Sequence, residues 1–161
     1  MPTTKAATRQ IMAGLRGIPD VILEDQKASG TTGGTSVATS WNTRTLNTEV
    51  YDPSGLCTLT ANKFTFTVDG FIEFAFPVYI SYRTKIRLYS VTAGAMHTLG
   101  ASSYNNVYAT TLMLGVAFVT AGVEYRIDTY HEYGIAHGLG YPAAQGTEIY
   151  GRVEFYRSVA A

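Results

Sequence analysis

The sequence predicts an all-β domain, a two-sheet sandwich or barrel, and three observations carry that prediction. Apolar residues alternate with period two over several segments, the mark of strands with one buried face. Turn residues separate these segments at short, even intervals, as sandwiches and barrels require. Twelve tyrosines and seven phenylalanines stand beside one tryptophan, a mixture suited to half-buried strands and subunit contacts.

The chain divides into three parts. From Met1 to Gly17 it carries Lys5, Arg9 and Arg16 and no acidic residue. Ala7, Ile11, Leu15 and Ile18 fall at helical spacing, weakened by Gly14 and Gly17 and stopped at Pro19. Val21, Ile22 and Leu23 add an apolar patch before Glu24 and Asp25. Residues 1–27 are therefore expected to form an extended N-terminal arm that orders against a partner, because such apolar residues are wasted in a solvated tail. Residues 28–40, Ala28 to Ser40, are rich in Gly, Ser and Thr and read as a flexible or extended linker. The β domain spans 41–161.

Within the domain, Ile72, Phe74, Phe76, Val78 and Ile80 share one face of a strand, against Phe71, Glu73, Ala75, Pro77 and Tyr79 on the other. Val123, Tyr125 and Ile127 alternate with Glu124, Arg126 and Asp128, and Ile149, Val153 and Phe155 with Glu148, Arg152 and Glu154. The segment from Ala109 to Val119 is different. Leu112, Leu114, Val116 and Phe118 make one apolar face, and Thr111, Met113, Gly115, Ala117 and Val119 make a second, smaller one. A strand apolar on both sides must be covered twice. A neighbouring subunit is the natural second cover, with Gly115 and Ala117 permitting close approach. Asp52-Pro53-Ser54-Gly55 reads as a type I or II turn and Val68-Asp69-Gly70 as a hairpin. Thr92-Ala93-Gly94 and Thr120-Ala121-Gly122 are further breaks, and Gly134 to Gly146 is a Gly/Pro-rich loop carrying His137 and Tyr141. About seven to nine strands result.

Composition excludes several functions. Twelve Lys and Arg balance twelve Asp and Glu, which argues against a nucleic-acid partner, since that needs a basic excess. With 15% charged residues, part of the surface is expected to be covered by other subunits. Cys57, the only cysteine, excludes an intrachain disulfide and a Cys-rich zinc site, and between Leu56 and Thr58 it reads as a small core residue. No apolar run approaches the ~18 residues that span a bilayer, so no membrane partner is expected, and residues 1–23 lack a signal-peptide pattern. His131, Glu132 and His137 do not have a ligand spacing, and Asp128 with Glu132 fits a solvated strand face as well as an acid–base pair. Gly138-Leu139-Gly140 lacks the strand–turn–helix setting of a nucleotide loop, and no nucleophile elbow occurs. An enzyme is not expected, nor a metal or cofactor. Tyr104, Tyr108, Tyr133 and Tyr141 suit either sugar stacking or half-buried packing.

Phe64, Phe66, Gly70, Phe71 and Phe74 resemble the "F…G-x-Y-x-F" strand pair of C1q/TNF-like jelly rolls, with Ile72 where that family favours Tyr. Trp41 to Glu49, read as W-x-T-R-x-L-N-T-E and followed by Asp52-Pro53, resembles a pattern of bacteriophage virion proteins that precedes a C1q-like head. The likeness covers roughly residues 37–157 and is supported by Tyr125–Tyr130 and Tyr150–Arg157. It implies a jelly-roll sandwich preceded by the arm, assembled as a homotrimer on a particle surface. The expected function is that of a capsid decoration (cement) protein on the virion surface, present in the host cytoplasm during assembly. Its arms would grip the phage major capsid protein through Lys5, Arg9, Ile11, Leu15, Arg16, Ile18, Val21, Ile22 and Leu23. The expected trimer interface is Phe71, Tyr79, Met113, Gly115, Ala117 and Val119. The alternatives are a tail-fibre tip or glycan-binding receptor module acting through Gly134–Gly146, and a secreted bacterial adhesion module.

Overall fold

The computed structural model describes residues 17–80, 82–106 and 108–158. Among them are eleven strands and no helix: β1 (Val21–Lys27), β2 (Ser40–Thr43), β3 (Thr48–Tyr51), β4 (Cys57–Thr60), β5 (Lys63–Phe66), β6 (Gly70–Tyr79), β7 (Tyr82–Ser90), β8 (Ala95–Asn105), β9 (Thr110–Val119), β10 (Glu124–His131) and β11 (Glu148–Arg157). They form two antiparallel sheets, ordered β3-β1-β11-β6-β9 and β4-β5-β10-β7-β8, with β2 paired to β10 in the second. This is the expected sandwich, with more strands than counted because several have only four residues.

Between the sheets lie Ile72, Phe74, Phe76 and Val78 of β6, Tyr125 and Ile127 of β10, and Val153 and Phe155 of β11, all buried. Phe66 stacks on Phe155 with ring centroids 4.0 Å apart, joining the two layers. Each such side chain contributes roughly 1.5–3 kcal/mol when removed from water. The phase expected for β11 holds only in its second half. Tyr150 and Gly151 are both buried and Ile149 faces solvent. A bulge opposite Asp25 shifts the register, which pairs Glu24 with Arg152 but Gln26 with Ile149. A Cβ at Gly151 would lie 2.1 Å from the Phe76 ring, so only glycine fits this strand under that ring.

One turn assignment changes and one further turn appears. Val68-Asp69-Gly70 is not a hairpin, since β5 and β6 belong to different sheets. Asp69 instead accepts the Ala121 N–H at 2.8 Å, tying two crossings between the sheets together. A tight hairpin lies between β4 and β5, where Ala61 and Asn62 take φ of 50° and 68°, the type I′ geometry that matches strand twist. Asp52 does close its turn, accepting the Leu56 and Cys57 N–H groups.

The arm and linker are also redrawn. β1 sits inside the first sheet between β3 and β11, with Val21 and Leu23 fully buried. Val21, Ile22 and Leu23 are therefore part of the sandwich and not of a free arm. The Gly/Ser/Thr-rich stretch is held in place as well. Gly33 N–H donates to Gly140 O, Leu139 N–H to Gly34 O and Ser36 N–H to Ile135 O, so residues 33–36 run along the 134–140 loop. Here glycine serves close approach: a Cβ on Gly33 would lie 2.4 Å from Leu139 O.

Candidate functional site

Along β9 every second side chain meets the core. Met113, Ala117 and Val119 are buried inside the subunit, and Leu112, Leu114, Val116 and Phe118 point outward, 43–59% exposed. This reverses the assignment made from the sequence, in which Met113, Gly115, Ala117 and Val119 faced a neighbour. The reason lies across the pair: Gly115 is opposite Phe74, and a Cβ on Gly115 would stand 2.1 Å from the Phe74 ring. The small residues of this strand make room for the subunit's own aromatic core. Phe71, the next strand's outward residue opposite Phe118, is 51% exposed and meets Phe118 edge-on at 5.2 Å. Five large apolar side chains thus form one column on the β9/β6 edge of the sheet. Tyr79 lies at the far end of β6, half-buried, its ring 4.9 Å from Tyr141.

The other half of this sheet face is polar and internally paired. Arg152 on β11 donates through Nε to Glu24 Oε1 at 2.8 Å and reaches Glu154 at 3.4 Å. The hydrogen bond to Glu24 is the main cause that raises the Arg152 guanidinium above its ordinary value. Tyr156 OH donates to Glu154 at 2.9 Å. Between the halves lies a groove of about 410 Å³, floored by Ala75 and Gly115 and walled by Leu114 and Val116 on one side and Arg152 and Glu154 on the other.

The outward face of the second sheet is built differently. Asp128 of β10 is fully buried there beneath Arg87, Arg126 and Thr43, whose donors lie 2.8–3.0 Å from its carboxylate. The Arg87 guanidinium rests 4.1 Å from the Trp41 ring and 4.7 Å from Tyr89, and Arg126 lies 4.4 Å from Tyr89.

Inside the sandwich Arg44 is fully buried and donates to Pro77 O (3.1 Å), Leu139 O (2.6 Å) and Tyr150 O (3.0 Å). Burial pulls its guanidinium down to about 10, with Asp25 opposing, so it stays charged at neutral pH. His131 is buried beside it. Burial first and the Arg44 charge second pull its imidazole down to about 4, while Nε2 lies 2.9 Å from Thr129 Oγ1. Three backbone N–H groups, of Gly30, Ala143 and Ala144, converge on Glu148 and hold its carboxyl below the ordinary value. These residues are placed to staple strands and loops.

Of the expected arm residues, Lys5, Arg9, Ile11, Leu15 and Arg16 lie outside the described residues, and Ile18 is 82% exposed. Among the described residues no three His, Cys, Asp or Glu side chains converge as metal ligands. His137 contacts the Tyr141 ring at 5.1 Å. Cys57 is half-buried against the core, and burial, then Glu49 and Asp52, push its thiol up to about 12. Sequence reasoning turned the small β9 residues toward a neighbour, read Asp128 as part of a solvated strand face or an acid–base pair where it is in fact buried, and gave Arg44 no structural role. The one signal for Arg44 was its place within the Trp41–Glu49 pattern.

No family model matches the chain, and no curated protein matches it in sequence. Solved structures do match. The tumour necrosis factor Eiger of S. frugiperda superposes with a TM-score of 0.52 at 16% identity, over 88% of this chain and 96% of that one. The globular domain of the zebrafish complement 1qA protein superposes with a TM-score of 0.50 at 19% identity, over 88% of this chain and all of that domain. The fold is therefore a C1q/TNF-like jelly roll.

Proposed function

We propose that the protein is a non-enzymatic assembly module that self-associates as a homotrimer through the β9/β6 face. One observation carries this reading. Leu112, Leu114, Val116, Phe118 and Phe71 form an exposed apolar column beside a polar half of the same sheet face that is paired internally, and such a patch marks an interaction surface. The jelly-roll resemblance favours a threefold arrangement. In a closed ring the contact is heterologous, so the column of one subunit meets a different surface of the next. The partly polar groove beside it fits that role. In sedimentation velocity the wild-type chain is expected to run as a trimer and Leu114→Glu as a folded monomer. A wild-type chain that sediments as a monomer at micromolar concentration would overturn the reading.

The finer role we propose is capsid decoration on a bacteriophage virion, with the major capsid protein as partner. Its support is the resemblance of Trp41–Glu49 to virion proteins and the basic residues Lys5, Arg9 and Arg16 ahead of the sheet. The arm in this reading ends before Val21, because β1 is needed by the fold. Deleting residues 1–16 is expected to preserve the trimer and abolish co-sedimentation with capsid shells. Shells that retain the shortened trimer would contradict it. A second reading, a glycan-binding tip, is favoured by Tyr141, which is 54% exposed and braced by Tyr79 and His137. Glycan-array binding lost in Tyr141→Ala would support it.

A further inference from the structure

The charges of the second sheet's outward face are nearly all neutralised in place. Arg87 and Arg126 share Asp128, Arg83 meets Glu132 at 3.3 Å and Lys63 meets Glu124 at 3.0 Å. Elsewhere Lys27 pairs with Asp25, Arg152 with Glu24 and Arg157 with Asp20, and Arg44 is held by carbonyls. Among the described residues Lys85 is the one cation without such a partner. It is exposed at the centre of β7, in register with Tyr130 of β10 on one side and Ser102 of β8 on the other. Two residues along, Arg83 is in register with Tyr104, which is 59% exposed and braced edge-on by Tyr82 at 6.0 Å. These residues line a groove of about 400 Å³ that also takes in Ser103.

We propose that this groove binds an acidic saccharide through a single carboxylate-bearing ring, a uronate or a sialate. Lys85 takes the carboxylate as a charge-assisted hydrogen bond. Tyr104 and Tyr130 offer flat apolar surface with a polar tip for the pyranose faces, and the hydroxyl of Ser102, on the same face as Lys85, both donates and accepts toward ring hydroxyls. Strand spacing makes the floor roughly 10 Å across three strands and about 7 Å along two same-face residues, the footprint of one or two sugar rings. A polyanion fits less well. Glu132 already neutralises Arg83 at the edge of the groove, so a nucleic-acid backbone would meet one free cation and one carboxylate, where its affinity needs many cations. The groove lies on the sheet opposite the apolar column and does not depend on the assembly reading, nor on the Tyr141 loop.

The test is titration of the full chain with trigalacturonate and with a sialyl trisaccharide, by calorimetry and by amide chemical shifts at low salt. The trigalacturonate methyl ester and a short single-stranded oligonucleotide serve as controls. At least one acidic sugar is expected to bind and to shift the amides of residues 83–85 and 102–104. Lys85→Met and Tyr104→Ala are each expected to weaken it by about tenfold, and Tyr141→Ala to leave it unchanged. Binding of neither acidic sugar would overturn the proposal, as would equal binding of the neutral ester or undiminished affinity in Lys85→Met. Loss of binding in Tyr141→Ala alone would move the site to the loop. Lys85-dependent binding of the oligonucleotide without the sugars would replace the saccharide with a nucleic acid.

Discussion

The two sheets present outward faces made by the same alternation and finished in opposite ways. On β10 and β7, charged and aromatic residues cover one another: Asp128 disappears beneath Arg87, Arg126 and Thr43, and Trp41 and Tyr89 sandwich the guanidinium of Arg87. On β9 and β6, Leu112 to Phe118 have no such cover within the subunit. A face completed by its own side chains stabilises the monomer. A face left apolar is stabilised only by a second body. Damage to the first is therefore expected in unfolding measurements, and damage to the second in association measurements.

The largest expected effect comes from breaking the self-covered face. Asp128→Ala leaves Arg87 and Arg126 without their counter-charge and should lower the unfolding free energy by about 3–4 kcal/mol, since removing one partner of a buried ion pair is costly. Urea unfolding at fixed protein concentration measures it, with the sedimentation coefficient unchanged below the transition.

Next comes pH, acting from beneath the same strand. His131 is held down to about 4 by burial against an ordinary value of 6.5, so the unfolded chain binds more protons between those values. Its contribution is complete above about pH 6.5 and is lost as pH falls toward about 4, by about 3 kcal/mol at most. Asp25, pushed up by burial, acts in the opposite sense, its contribution lost as pH rises through its folded value. The His131 share is therefore the difference between wild type and His131→Leu, whose stability should fall less over that window.

On the apolar face, Phe118→Ala should weaken self-association by about tenfold, roughly the 1.4 kcal/mol by which a truncated contact residue often contributes. Monomer stability should stay within about 0.5 kcal/mol, as for ordinary surface changes. The smallest expected effect is that of sulfate. It should tighten association, because excluded salts favour apolar burial, while thermal unfolding of Leu114→Glu monomer changes little. Association that weakens in sulfate would mean that the β9 column is not what holds the subunits together.

How much of this could be read from the chain depends on whether polar residues mark the phase of each strand. β6 and β10 carry Glu73, Glu124 and Arg126 on one side, and their buried faces were legible. β9 has no charged residue on either side, so its two faces were distinguishable only through Phe74, a partner on another strand that needs Gly115 beneath its ring. β1 escaped because Glu24 and Asp25 are buried against Arg152 and Lys27, and acidic residues in the sequence suggest the end of a strand. β8 escaped as an edge strand exposed on most of its length, where burial imposes no period. Lys85 was invisible as a site because its isolation is a property of its neighbours on β8 and β10.

Arg44 joins the end of β6, the 134–140 loop and β11 through three carbonyls, and that loop in turn laces residues 33–36. Opening this glycine-rich end thus requires separating both layers. Its protected amides should exchange with deuterium as slowly as those of central strands, through global opening alone. For anyone attaching a probe or inserting a peptide, the loop with the most glycine is then the wrong choice. The Ser54–Gly55 turn, where nothing lies within 4 Å of the glycine's missing side chain, is the permissive position.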